Sequence, residues 1–274
     1  MSCSLMLPGF DAAEVPYSAA SPRSRPPIAT TPEVEVLLRA GAPVAFGVSG
    51  GKDSSALVLA TCAYLDAIGH PRHRRIAVHA DLGDIEWAAS GATGRAVAAH
   101  VGIECVTVRG SRSMTETWES RWERNVVRYA ALSCVTMILP WSSARMRFCT
   151  SQTKRDPITR YLKTRYPGEV IINATGIRRQ ESRARAQAEV FTASADLVAK
   201  RSSTSGFDWA PIADWLLDDI WAIHEVEGFP LHEAYGVYGS SRVSCTYCVL
   251  ATRNDHLAAL ADPRNHAVTA GSVR

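Results

Sequence analysis

Short apolar, β-branched runs alternate with longer segments of mixed polarity through the middle of the chain. Val44–Val48, Ile76–Ala80, Glu104–Val108 and Val170–Ala174 read as strands. Asp53 to about Ile68 and about Trp87 to His100 read as helices between them, and polar helix-like segments follow around Met114–Tyr129 and Gln152–Arg165. This rhythm predicts an α/β fold, a parallel sheet with helices on both faces, whose ligands sit at the carboxyl ends of the strands. Residues 1 to about 32 carry Pro, Ser and Arg without periodicity and are expected to form a flexible or loosely docked arm. The α/β domain is assigned to 33–210 and a mostly helical C-terminal extension to 211–274. There is no internal repeat.

Composition narrows the class without naming a function. The 274 residues suffice for one α/β domain with an appendage, and 46% hydrophobic with 21% charged residues is ordinary for a globular protein. A net charge of +3 is too small to imply nucleic acid by itself. No apolar run is long enough to span a bilayer, and no basic region precedes an apolar core at the N-terminus, so a cytoplasmic location without membrane contact is expected. Seven cysteines is an odd count, which argues against a disulfide framework.

The chemistry concentrates first in Val44-Ala45-Phe46-Gly47-Val48-Ser49-Gly50-Gly51-Lys52-Asp53-Ser54-Ser55. A strand running through Ser-Gly-Gly into a helix aims backbone N–H groups and a positive helix end at one point, which suits a phosphate. Ser49, Ser54 and Ser55 add hydroxyls, Gly50 and Gly51 allow close approach, and Lys52 adds a charge. A Walker A loop would need Gly at Phe46 and a hydroxyl at Asp53, so that class is excluded.

Further segments recur at strand ends. His79-Ala80-Asp81-Leu82-Gly83 closes the second strand; its backbone could hold an adenine and Asp81 a metal or substrate, or it is an Asp-containing turn. Arg145-Met146-Arg147-Phe148-Cys149-Thr150, with Lys154, makes an anion-facing segment. Thr175-Gly176-Ile177-Arg178-Arg179-Gln180-Glu181-Ser182-Arg183-Ala184-Arg185 reads as a strand end followed by a helix. There Gly176 permits phosphate approach and Arg178 or Arg183 grips its oxygens, while Arg179 and Arg185 face solvent. Pro211 to Cys248 adds Asp214, Tyr235, Arg242 and the pair Cys245-Thr246-Tyr247-Cys248. A Cys-x-x-Cys is a metal ligand pair or a redox dithiol, and its place late in the chain favours ligation. Trp118, Trp122, Trp215 and Trp221 fall at helical spacing and read as core, and neither His79 nor His224 is given a catalytic role.

Taken together and in order, these segments resemble the sulfonucleotide reductase-like branch of the PP-loop ATP pyrophosphatase superfamily, over roughly Val44 to Leu250. The resemblance implies a five-stranded HUP-type parallel sheet, an adenine nucleotide over the PP-loop, and Gly176-x-Arg178 on phosphate. It implies a catalytic set of Lys52, Asp53, Arg178 and Arg183, with ATP and Mg²⁺ as cofactors. PAPS reductases of the branch carry a cysteine in a Glu-Cys-Gly tail, and residues 254–274 contain no cysteine. Cys149, Cys245 and Cys248 instead resemble the ligands of a [4Fe–4S] cluster in thiolation enzymes, with Zn²⁺ as the alternative metal and Cys134 as the nearest fourth ligand. Cys62 and Cys105 are expected in the core. The implied reaction adenylylates an acceptor and releases pyrophosphate, after which sulfur from a cysteine desulfurase displaces AMP. The acceptor expected first is a DNA backbone phosphate, met directly or through partner subunits. A tRNA base, a divergent sulfonucleotide reductase and a non-catalytic nucleotide-binding scaffold are the alternatives. A homodimer is the implied assembly.

Overall fold

The protein is described here by a computed structural model covering residues 25–143, 146–243, 245–246 and 248–266. The expected arm up to residue 24, and Cys3 with it, lies outside the described residues. Residues 25–31 are docked: Trp209 Nε1 donates to the Ala29 carbonyl at 2.9 Å, Trp215 Nε1 to the Pro27 carbonyl at 2.7 Å, and Arg25 pairs with Glu227.

Helix α1 (Pro32–Arg39) starts with Pro in its first turn, Thr31 accepting from Val34 N–H, and two acidic residues near its positive end. The strands follow as β1 (Val44–Val48), β2 (Arg75–Asp81), β3 (Glu104–Arg109), β4 (Val170–Ala174), β5 (Phe191–Ala193) and β6 (Ser205–Trp209). They form one sheet in the order β3-β2-β1-β4-β6-β5, parallel except for the antiparallel β5–β6 pair. The sheet therefore has six strands where five parallel ones were expected. The extra edge strand is three residues long, and its Phe191 stacks on Phe207 with ring centroids 4.7 Å apart. No apolar run announces either β5 or β6.

Helix α2 (Lys52–Ala67) is buried along most of its surface because β1 lies on one side and α7 (Leu217–Val226) on another. α3 (Ser90–His100) begins later than expected. Trp87 packs instead with Ala234 of the short α8 (Glu233–Gly236) and with Ala258 and Ala259 of α9 (Arg253–Ala261). α4 (Met114–Ala130) opens with a Ser113/Glu116 capping box. The run expected over Gln152–Arg165 is a π turn (Ser151–Arg155) followed by α6 (Asp156–Arg165), preceded by one turn of helix, α5 (Phe148–Thr150).

Strand alternation divides the core. Val44, Phe46 and Val48 face the cluster built on α1 and α2, whereas Ala45, Ile76, Val78 and Ile171 face Leu162 and Tyr166 below. Both sheet faces are thus covered, and β1, β2 and β4 deliver their carboxyl ends to the same edge. Among the described residues no helix is long and apolar enough to cross a membrane.

Candidate functional site

Where β1 ends, the chain turns through Ser49 and Gly50 into α2. Gly50 adopts φ +74°, and a Cβ there would lie 2.7 Å from the Ser90 carbonyl oxygen, so only glycine fits. The turn is tied internally, with Ser49 N–H donating to Ser54 Oγ at 3.2 Å and Ser54 Oγ to the Gly51 carbonyl at 2.9 Å. Gly176, after β4, packs against this turn, since a Cβ on it would meet the Asp53 carbonyl oxygen at 3.1 Å.

The charged centre of the loop is a buried chain of three residues. Lys52 Nζ lies 2.9 Å from Asp53 Oδ2, and Arg178 Nε donates to Asp53 Oδ1 at 2.7 Å. The Lys52 and Arg178 side chains are 9% and 6% exposed. Burial alone would push the Asp53 carboxyl up, but the charges and hydrogen bonds of Lys52 and Arg178 outweigh it and hold the group below its ordinary value. The lysine's main chain is fixed as well: its N–H donates to Tyr235 Oη at 3.0 Å and its carbonyl accepts from His224 Nε2 at 2.9 Å.

Two connected cavities open above the loop. The larger, about 550 Å³, presents the cations Lys52, Arg147, Lys154, Arg185 and Arg242 against the carboxylates Asp53 and Glu181. The smaller, about 170 Å³, is walled by Val48, Val78, Ala80, Leu82 and Ile158. They share Gly47, Ser49, Lys154 and Val243. An apolar slot feeding into a cationic chamber accommodates a flat heteroaromatic base joined to a polyphosphate.

Ser49, Gly51, Lys52, Asp53, Ser54 and Gly176 all line the larger cavity. Ser55 is instead 1% exposed within the core. Arg178 stands behind the loop and acts on Asp53 rather than on the cavity. Arg183 and Arg185 exchange roles with the expectation. Arg183 is exposed and outside the cavity, while Arg185 lines it and pairs with Glu181. The reason is local: Ser182 to Ala188 forms turns, not the expected helix, so helical spacing does not apply.

The His79 and Asp81 side chains do not line the cavities, and Asp81 takes the turn role given as the alternative. Alternation along β2 turns Val78 and Ala80 to the slot and these two residues to the opposite face. Asp81 accepts from Gly83 N–H at 2.7 Å and pairs with Arg109 at 3.2 Å. His79 Nδ1 donates to the Val48 carbonyl at 2.9 Å and Nε2 faces Glu86 at 3.3 Å. Burial works against its charge, but Glu86 prevails and raises the imidazole above its usual value. Tyr235, His224, Arg147, Lys154, Arg185 and Arg242 belong to the loop's surroundings and were missing from the expected set; Arg147, Lys154, Tyr235 and Arg242 stood inside motifs already noted.

The cysteines gather in part. Cys149 and Cys245 pack on Leu82, Ile85 and Met114 beside the cavities, and Cys245 hydrogen-bonds to Cys248. That bond, the Leu250 N–H and the nearby Arg242 and Lys154 charges pull the Cys248 thiol down to about 5, while the same bond and burial push Cys245 up. The two shifts run in opposite directions, favouring the proton on Cys245 and the charge on Cys248. Among the described residues no group of three or more Cys, His, Asp or Glu is arranged to hold a metal ion, so the expected three-cysteine set does not fit a [4Fe–4S] cluster or Zn²⁺ as placed. Cys134 lies beyond the end of α4, not within a helix.

A family model described as the phosphoadenosine phosphosulfate reductase domain matches residues 43–251. Among solved structures, the chain is similar to phosphoadenylyl-sulfate (PAPS) reductase from Candida auris in its phosphate complex, at 16% identity and a TM-score of 0.42 over 80% of this chain and 98% of that one. It is also similar to Candida glabrata FMN adenylyltransferase in complex with FAD and inorganic pyrophosphate, at 12% identity and a TM-score of 0.45 over 74% of this chain and 57% of that one. No curated protein matches.

Proposed function

The chain belongs to the phosphoadenosine phosphosulfate reductase domain family, and from that premise we propose that it splits MgATP between the α- and β-phosphates to activate an acceptor for sulfur transfer. The observation that carries this reading is the Lys52–Asp53–Arg178 chain set where an apolar slot meets a cationic chamber. The adenine enters the slot and the triphosphate lies over the loop, with Mg²⁺ arriving on the substrate. Both oxygens of Asp53 are already taken by cations, so its part is to hold the lysine rather than the metal. An acceptor oxygen attacks the α-phosphorus, pyrophosphate leaves, and Lys52 with the loop's N–H groups stabilises the departing charge.

The acceptor we propose is a DNA backbone phosphate. Its adenylylated oxygen leaves as AMP when the terminal sulfur of a persulfide, loaded by a cysteine desulfurase onto one of Cys149, Cys245 and Cys248, attacks the phosphorus; a second thiol of the set then breaks the resulting P–S–S–Cys bond, freeing the phosphorothioate and leaving a Cys–Cys disulfide that an external thiol reduces. The low thiol of Cys248 supports a thiolate carrier. No step is assigned to a metal cluster. Incubation with MgATP, duplex DNA, tRNA, a cysteine desulfurase, ³⁵S-cysteine and dithiothreitol is expected to leave nuclease-resistant label in DNA; label in tRNA alone moves the acceptor to a tRNA base. A second reading, sulfonucleotide reduction, is favoured by the same Cys248 thiolate, and sulfite release from PAPS with no pyrophosphate from ATP would establish it instead.

A further inference from the structure

The nucleotide chamber has a neighbour. A separate cleft of about 440 Å³ opens between the Gly110–Arg112 loop at the end of β3, the side of α4 and the π turn leading into α6. The π turn is the shared wall: Lys154 faces both nucleotide cavities, and Gln152 and Thr153 face the cleft. An extra residue in a helical turn rotates the side chains that follow, which lets one segment serve two openings.

The cleft's charge is one-sided. It is lined by Arg112, Arg121, Arg124 and Arg160, with Asp156 as its one acidic side chain. Asp156 is engaged by Arg155 at 3.2 Å. Arg121 is a fixed wall, donating to the Pro140 carbonyl at 3.1 Å with its guanidinium 4.0 Å from the Phe148 ring centroid. Arg112, Arg124 and Arg160 are exposed, and none has an ion-pair partner among the described residues. Three exposed guanidinium groups lining one polar cleft, whose single carboxylate is held by Arg155, match a run of phosphates spaced along a strand.

We infer that this cleft binds the phosphodiester backbone of a nucleic acid and so presents it to the nucleotide chamber across the π turn. This deepens the proposed reading of the acceptor and rests on it for its purpose, but the binding is testable apart from it. The contacts are to backbone, so they position the strand and carry no base information.

The test measures fluorescence anisotropy of labelled duplex DNA, single-stranded DNA and RNA across salt. Three phosphate contacts on duplex DNA give a slope of log K against log salt near about −2.7, an affinity loss of about 40-fold between 50 and 200 mM. R112Q/R124Q/R160Q should abolish that slope, while removing the same charge elsewhere, from the exposed Arg39, Arg201 and Arg253, should leave most of it. Binding of a fluorescent ATP analogue and the melting temperature should be unchanged in both variants. Whichever labelled strand binds best identifies the source of the backbone. Equal binding by wild type and the cleft variant, equal losses in both triple variants, or displacement by polyglutamate as effective as by DNA would overturn the inference. If the cleft binds DNA but no pyrophosphate is formed, the fault lies with the proposed reaction and not with the cleft.

Discussion

Replacing Asp53 by Asn removes one negative charge while keeping the shape of the side chain. The amide oxygen can still accept from Arg178, but the amide nitrogen cannot accept from Lys52, whose side chain is 9% exposed. Two cations are then left facing one another out of water. At about 4 Å and an effective dielectric of about 20, each lost charge pair is worth about 4 kcal/mol before desolvation is counted. Breaking a buried pair costs about 3–5 kcal/mol in measured cases, and the 22% exposure of Asp53 places this one at about 2–4. At about 2–4 °C per kcal/mol for a chain of this length, the melting temperature should fall by about 5–15 °C.

The pH dependence has a defined sign. Because the folded-state carboxyl is depressed, its contribution is complete above the unfolded value near about 4 and is lost as pH falls through the lower folded value. Urea unfolding followed by tryptophan fluorescence should therefore show a wild-type advantage over D53N that is constant from about pH 5 to 7 and shrinks below about pH 4. Saturating MgATP, which supplies the missing negative charge, should raise the variant's midpoint more than the wild type's. An equal stability of the two proteins at pH 7, or a gap that widens toward acid, would refute the account of this triad.

Other consequences can be checked separately. Cys248 should react with iodoacetamide already at pH 6, and K154Q/R242Q should shift its profile upward; Cys62, pushed up to about 12 by burial, should stay unmodified in the folded protein. Reaction of Cys248 only above about pH 8 would remove the thiolate. Gly50→Ala forces a Cβ to 2.7 Å from Ser90 O at φ +74°, and should cost at least about 1 kcal/mol and weaken nucleotide binding by isothermal titration. Glu86→Gln should lower the His79 pKa read by NMR. In wild type the stabilisation from the raised imidazole is complete below about pH 6.5 and fades as pH climbs through the folded value.

Chemistry that lies contiguous in the chain is legible in the sequence. The loop from Ser49 to Ser54 carries its strand, its turn and its chemistry in adjacent residues, and the structure puts most of them around one cavity. A residue whose role depends on the face it occupies is harder to read. His79 and Asp81 follow a strand whose period of two turns them from the slot, although the pattern Val78-His79-Ala80-Asp81 already contained that alternation. Arg183 and Arg185 lie in a segment that reads as a helix but forms turns, so which of them meets the cavity is not set by the sequence pattern. Tyr235 and His224 reach Lys52 from more than 170 residues away, a closure no local pattern encodes. β5 leaves no sequence signal because its three edge residues are held by one ring stack, Phe191 on Phe207. The chain pattern groups Cys149, Cys245 and Cys248, but thiol spacing along a chain does not reveal whether the sulfurs converge.

The most direct measurement of the central claim follows the phosphates themselves. Parallel reactions with α-³²P and γ-³²P ATP, in the presence of duplex DNA, should place the α label in AMP or an AMP–DNA adduct and the γ label in pyrophosphate. Lys52→Met should slow both by about 10²–10³-fold, the scale for losing one stabilising donor. Label in ADP and free phosphate, or unchanged rates without Lys52, would contradict cleavage at the α-phosphorus over this loop.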